Sequence, residues 1–176
     1  FQLTKSLAKM TVIDNMLLGA AEQKGESLRN ALLPSRWQKQ EKQILKKAED
    51  LLGRFKLSHM RDEYAATLSG GQRKLLEMAR ALMSEPKLIL LDEPMAGVNP
   101  VLVESLLVHI ENLRDEGVSV LFIEHDMDAI MGISDWIVVL AEGQVIAEGT
   151  PSDVSKNPAV IDAYLGSAIA EELKDV

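Results

Sequence analysis

The chain has 176 residues, 47% hydrophobic and 26% charged, the proportions of an ordinary globular protein long enough to bury a sizeable core. A formal net charge of −8 excludes the basic footprint that non-specific binding to a nucleic-acid backbone requires, but not the binding of a nucleotide by a few local donors. The absence of cysteine excludes a disulfide framework or a thiolate metal site, and no apolar run approaches the roughly 18 residues of a membrane span.

No signal peptide opens the chain, which starts at Phe1 in mid-pattern and reads as truncated. The texture from about Lys5 to Thr67 is polar, mixed and helical. Thr11 is placed to cap a helix over 12–21, with Asp14 at the third helical position. Residues 23–36 contain Gly25 and Pro34 and read as a loop or short insert. A helix is expected from about Trp37 to Leu52, stopped by Gly53, with the charges of KQEKQ on a solvated face.

From Leu68 onward helical patterns alternate with short β-branched runs. Ser69 is a natural N-cap, and Leu75, Leu76, Ala79, Leu82 and Met83 recur at helical spacing up to Pro86, which is expected to end the helix. KLILLDE (87–93) and VSVLFIE (118–124) read as strands buried on both faces. Between them Asn99 and Pro100 open a helix whose buried stripe is Leu102, Leu106, Ile110 and Leu113, closed by Gly117. A short helix follows over about 127–133. WIVVL and QVIAEG flank AEG as a hairpin, and Thr150-Pro151 and Asn157-Pro158 start two more helices, the last running to Leu165 and Gly166.

Strands alternating with helices predict a parallel sheet with helices on its faces. Such sheets carry their chemistry beyond the carboxyl ends of the strands, where Asp92, Glu93, Glu124 and His125 fall.

The stretch LSGGQ (68–72) puts two glycines at a helix start. Unpaired N–H groups and a partial positive charge gather there, and the missing Cβ atoms allow an anion to approach. Ser69 adds a hydroxyl and Gln72 an amide, so a phosphate would fit; a plain serine cap after a turn would also account for the pattern. In LILLDEP, Asp92 is suited to hold Mg²⁺ through water and Glu93 to polarise an attacking water, unless the pair merely ends a strand. His125 could donate to a phosphoryl oxygen or be satisfied by a nearby carbonyl. His59 and His109 lie on helical patterns and are assigned no chemistry.

Taken together, LSGGQRKLLEMARAL, LILLDEP, AGVNP and IEHD, in this order and spacing, resemble an ATP-binding cassette (ABC) ATPase. The likeness covers essentially the whole chain. FQLTKSLAKMTVIDN is similar to the family's Q-loop and the helical subdomain after it, and LAEGQVIAEGTPSDV to its C-terminal hairpin and helix. The resemblance implies an α/β, P-loop NTPase-like parallel sheet with a helical subdomain. Residues 1–67 would form the Q-loop and helical subdomain, 68–150 the ATPase core, and 151–176 the C-terminal helices of an importer-type ATPase.

It further implies that Ser69, Gly70, Gly71 and Gln72 bind the γ-phosphate of an ATP held by a second ATPase subunit, in a homo- or heterodimer. Asp92 would be the Walker B aspartate at Mg²⁺, Glu93 the general base and His125 the switch histidine. Gln2 would touch the metal or the attacking water and report the nucleotide state to transmembrane permease subunits. Ala96 to Asn99 match the D-loop, which crosses the dimer interface; Asn99 stands where many cassettes have Asp.

AGVNP, IEHDMDAIMGISD and NPAVIDAYLG are similar to the ATPase subunits of branched-chain amino acid importers, a pattern that urea and amide importers share. The implied location is the cytoplasmic face of the membrane, peripheral, with no nucleic-acid partner. Lipopolysaccharide-exporting ATPases are the nearest alternative within the family. No stretch matches GxxxxGK[ST], so the P-loop and the N-terminal strands are missing from this sequence. A second reading is therefore a non-catalytic interaction subunit that lends LSGGQ to a complete partner, although Glu93 and His125 would have no use there. A soluble repair or translation ATPase is disfavoured by the acidic charge and by the lack of a sustained heptad before LSGGQ.

Overall fold

The computed structural model describes residues 7–26 and 37–163. The chain forms two compact units, Phe1–Ile123 and Glu124–Val176. The stretches 1–6, 27–36 and 164–176 lie outside the described residues, and with them Gln2 and the expected helix end at Leu165.

In the first unit, helix α1 (Val12–Leu17) is capped by Thr11, whose hydroxyl oxygen accepts from the Asp14 amide at 3.1 Å. The helix is shorter than its sequence pattern. At Gly19 the chain runs so close to the helix over Gly70–Leu82 that a Cβ would lie 2.4 Å from the Arg80 carbonyl oxygen. Asn15 is fully buried, yet every polar atom of its side chain is used. Its Oδ1 accepts from the Leu7 amide at 2.8 Å, and its Nδ2 donates to the carbonyls of Leu7 and Thr11 at 3.2 and 2.9 Å. A buried amide with this many partners fixes the path of the chain leading into α1.

Helix α2 (Gln38–Arg54) runs through Gly53 instead of stopping there. Its end is set by Lys56, which takes the left-handed conformation at φ 57°. The Leu57 amide then reaches the Leu52 carbonyl at 2.8 Å and that of Lys56 the Gly53 carbonyl at 3.1 Å. This is the Schellman pattern, sealed by the burial of Leu52 and Leu57.

Helix α3 (Gly70–Leu82) buries Leu75, Leu76, Met78, Ala79 and Leu82. It ends at Met83, before Pro86, where Glu85 makes the left-handed turn at φ 52° and Lys47 donates to the Met83 carbonyl at 2.9 Å. Strand β1 (Leu88–Asp92), helix α4 (Pro100–Asp115) and strand β2 (Ser119–Ile123) complete the unit. Asn99 caps α4 by accepting from the Leu102 amide at 2.9 Å. The strands pair in parallel with Asp92 opposite Ile123, so they end level.

Neither strand is buried on both faces. Leu88 and Leu90 of β1 are 53% and 58% exposed, Leu121 and Ile123 of β2 58% and 62%. The register puts these four on one side of the ribbon, while Ile89 on the other side is buried. Among the described residues no third strand joins this pair. An apolar run states that a strand can be covered on both faces, but the cover must come from other chain segments.

His109 lies on the buried stripe of α4, 6% exposed, with its ring centroid 4.3 Å from that of Phe55. Both ring nitrogens are buried without a hydrogen-bond partner. Burial, followed by the nearby charges of Arg54 and Lys56, holds its pKa below the ordinary 6.5. The folded form therefore binds a proton less readily than the unfolded chain, and the stability of this contact is complete above the unfolded pKa and lost as pH falls from there through the lower folded pKa. The urea midpoint should decline as pH is lowered from about 7 to 5. In His109→Phe, which keeps the ring contact, that part of the decline should vanish; an identical pH slope in both proteins would refute the assignment.

In the second unit, helix α5 (Met127–Ile133) is capped by Asp126, whose Oδ1 accepts from the Ala129 amide at 3.1 Å. Strands β3 (Ile137–Ala141) and β4 (Gln144–Gly149) form the expected antiparallel hairpin. Glu142 and Gly143 both turn through positive φ, 51° and 77°, matching the twist of a two-residue hairpin loop. Helix α6 (Pro151–Val154) starts at Thr150 as expected, and residues 158–163 are helical. Ile137, Val154 and Val160 form this unit's core.

Candidate functional site

The first unit brings together the start of α3, the end of β1 and the turn leading into α4. Ser69 has extended backbone (φ −62°, ψ 163°) and caps α3: its Oγ accepts from the Gln72 amide at 3.2 Å, while Gln72 Oε1 accepts from the Ser69 amide at 2.9 Å. This reciprocal capping box follows from the S-x-x-Q spacing. Both side chains expected at a phosphate are thus engaged with the helix's own backbone.

The two glycines are not equivalent. Gly70 is exposed, and a Cβ there would meet nothing within 4 Å, so its N–H end of the helix is open to a ligand. Gly71 is buried, and its Cβ would fall 2.6 Å from Leu102 Cδ1 and 3.3 Å from Val98 Cγ1. Gly70 leaves room for an anion, whereas Gly71 lets α3 lie close against α4 and the turn before it.

β1 delivers Asp92, exposed, and then Glu93, half-buried. Glu93 has left-handed backbone at φ 45°, so the chain bends where the strand ends. The Glu93 amide donates to the Ile123 carbonyl at 2.9 Å, extending the pairing with β2 by one bond. Its carbonyl accepts from the Ala96 amide at 3.3 Å, closing a turn that continues through Gly97 at φ 69° to the cap residue Asn99. Asn99 Oδ1 is committed to the cap of α4.

Lys74, to which the sequence pattern gave no role, reaches from α3 across to this turn. Its Nζ donates to the carbonyls of Glu93 at 3.0 Å and Ala96 at 2.5 Å. In the second unit His125 is 80% exposed, with Nδ1 3.8 Å from Glu124 Oε2. Gln2 lies outside the described residues.

Among the described residues no group of three or more His, Cys, Asp or Glu side chains converges as a metal cage. One exposed carboxylate, Asp92, at a strand end is a donor set that fits Mg²⁺, which keeps several waters and takes other oxygens from substrate phosphates. No helix among the described residues is long and apolar enough to cross a membrane.

Comparison with known proteins gives a consistent picture. The family description "ABC transporter" matches residues 1–96, and "Branched-chain amino acid ATP-binding cassette transporter" matches residues 144–170. The chain is 46% identical over 171 residues to a probable branched-chain amino acid transport ATP-binding protein, LivG, of Archaeoglobus fulgidus, covering 97% of this chain and 66% of that protein. It is 38% identical over 170 residues to the high-affinity branched-chain amino acid transport ATP-binding protein BraF of Pseudomonas aeruginosa, covering 96% and 67%. Among solved structures, an ATP-binding cassette of an ABC transporter in its ADP conformation superposes with a TM-score of 0.74 at 40% identity, covering 94% of this chain and 66% of that one. A nucleotide-free cassette gives 0.73 at 40% identity, covering 93% and 66%. The chain thus spans about two thirds of the length of the relatives it matches. With the fold, the ordered motifs and these likenesses agreeing, the chain belongs to the ABC transporter ATP-binding family, with the P-loop NTPase-type α/β fold of its cassettes.

Proposed function

We propose that the protein carrying this sequence is the ATP-hydrolysing subunit of an importer for branched-chain amino acids or related small solutes. The observation that carries the reading is the joint presence, on one compact unit, of an open helix start at Ser69–Gly70 and a carboxylate pair at a strand end. The match of residues 144–170 supports the importer over the lipopolysaccharide-export reading.

In this mechanism the start of α3 receives the γ-phosphate of an ATP bound mainly by a second ATPase subunit. The Gly70 end supplies backbone N–H groups and the helix dipole, and Ser69 and Gln72 turn from capping to the phosphate oxygens. Glu93 accepts a proton from the attacking water, and His125 donates to the phosphoryl oxygen that gains charge. Asp92, with Gln2, would hold Mg²⁺, whose chemistry is to neutralise charge between the phosphates. Residues 96–99 lie at the dimer interface. The protein works peripherally, on the cytoplasmic side, against permease subunits.

The test is ATP-dependent dimerisation of the intact protein, held in its ATP state by Glu93→Gln and followed by light scattering. ATP with Mg²⁺ should double the mass. Gly70→Asp, which puts a carboxylate where the phosphate would sit, should abolish the doubling. A Gly70→Asp protein that dimerises normally would sink the assignment of α3. For the cargo, a strain with the gene disrupted should take up labelled leucine at well below its normal rate; undiminished uptake counts against the amino-acid assignment.

A further inference from the structure

Lys74 has an unusual placement for a helix lysine. Such a side chain ordinarily lays its stem along the surface and puts its ammonium in water. Here the ammonium is aimed at two backbone carbonyls of a turn 19 and 22 residues further on, at 3.0 and 2.5 Å. The first belongs to Glu93, whose left-handed backbone (φ 45°) is disfavoured for a residue with a Cβ and persists only where the surroundings hold it. The Glu93 amide is tied to Ile123, and its carbonyl is shared between the Ala96 amide and the Lys74 ammonium.

A second contact joins the same two segments. Gly71, one turn toward the N-terminus of α3 from Lys74, packs against Val98 and Leu102 with no room for a Cβ. The helix start and the turn that carries Glu93 are therefore clamped twice, once by close packing and once by a charge-assisted hydrogen-bond fork.

We infer that Lys74 is a positioning residue that pins the Glu93–Ala96 turn to α3, so that the carboxylate and the helix start at Ser69–Gly70 move as one body. On the function proposed above, Lys74 lies between the helix start that receives the phosphate and the base Glu93, and keeps the two at a fixed separation. The inference rests on the reading of Glu93 as the base.

The experiment compares Lys74→Met, which keeps the apolar stem and loses the ammonium, with Lys74→Arg and Glu93→Gln in the intact protein. kcat and KM for ATP and the thermal midpoint are measured for each. Lys74→Met is expected to lower kcat on the order of ten- to a hundredfold, the scale of a catalytic group displaced by about an ångström, while KM stays within roughly twofold. Lys74→Arg, which can still donate to both carbonyls, should recover most of the loss. A Lys74→Met enzyme with unchanged kcat overturns the inference. So does a kcat loss that Arg fails to restore and that follows the thermal midpoint, since that is the behaviour of a stabilising contact. If Glu93→Gln hydrolyses ATP normally, the reading of the base fails first, whatever Lys74 does.

Discussion

Glu93→Gln in the intact protein is expected to lower kcat for ATP hydrolysis by about 10²–10⁴-fold, with the Kd for ATP nearly unchanged. The geometry makes this substitution informative. The backbone of Glu93 is held by the Ile123 carbonyl on one side and by the Ala96 amide and Lys74 ammonium on the other. These bonds engage the backbone, which an amide of the same size as the carboxylate leaves unchanged. The change removes a proton acceptor and leaves the turn standing. Single-turnover hydrolysis and equilibrium nucleotide binding separate the two quantities. A variant that hydrolyses within tenfold of the original rate would assign the base elsewhere.

The second large effect concerns the 176-residue chain prepared by itself. It is expected to self-associate and to elute well above its monomer mass of 19.4 kDa. Leu88, Leu90, Leu121 and Ile123 present an apolar face on a two-stranded ribbon, each more than half exposed. A side chain of this size left in water forgoes about 1.5–3 kcal/mol of burial, and ribbon edges with free backbone groups are templates for further pairing. The face continues into a groove of about 580 Å³ between α3 and β1, bordered by Met78, Leu88, Leu90 and Leu106. Leu90 and Leu121 are register partners, so Leu90→Lys combined with Leu121→Lys places two charges at the centre of the patch. That double variant should shift the elution toward the monomer. A wild-type chain that is monomeric and unfolds cooperatively at a high midpoint would contradict the expectation.

What was legible in the sequence was mostly local. Thr11, Ser69, Asn99 and Thr150 cap the helices they were expected to cap, because a cap needs only a side chain and an amide three residues on. The order of strands and helices followed from period and punctuation. The misplaced ends of α2 and α3 share one cause. Gly53 lies inside α2 and Pro86 beyond the end of α3, while Lys56 and Glu85 supply the left-handed turns. A lysine or glutamate at positive φ carries no sequence signature, since surrounding packing forces it there.

The same limit applies to the site. Asp92 and Glu93 could be read because a strand end followed by acids is a contiguous pattern. Lys74 could not, because its two acceptors are backbone carbonyls from a distant turn, and in the string it is one more cation on a helix. The differing duties of Gly70 and Gly71 were likewise hidden, since only the neighbours Val98 and Leu102 distinguish them.

The capping box at the start of α3 has a consequence for timing. Ser69 and Gln72 close on each other's amides, so the helix end is not left frayed. Any phosphate that recruits these side chains must first open two hydrogen bonds, a competitor about as strong as the cap itself, roughly 0.5–2 kcal/mol. That competitor is covalently attached and always at hand. It shortens the residence time of whatever binds there and reseals the helix on departure. If the start of α3 receives a phosphate as proposed, a site that closes over itself lends itself to rapid, repeated engagement, and the grip needed for a long-lived complex would come from elsewhere.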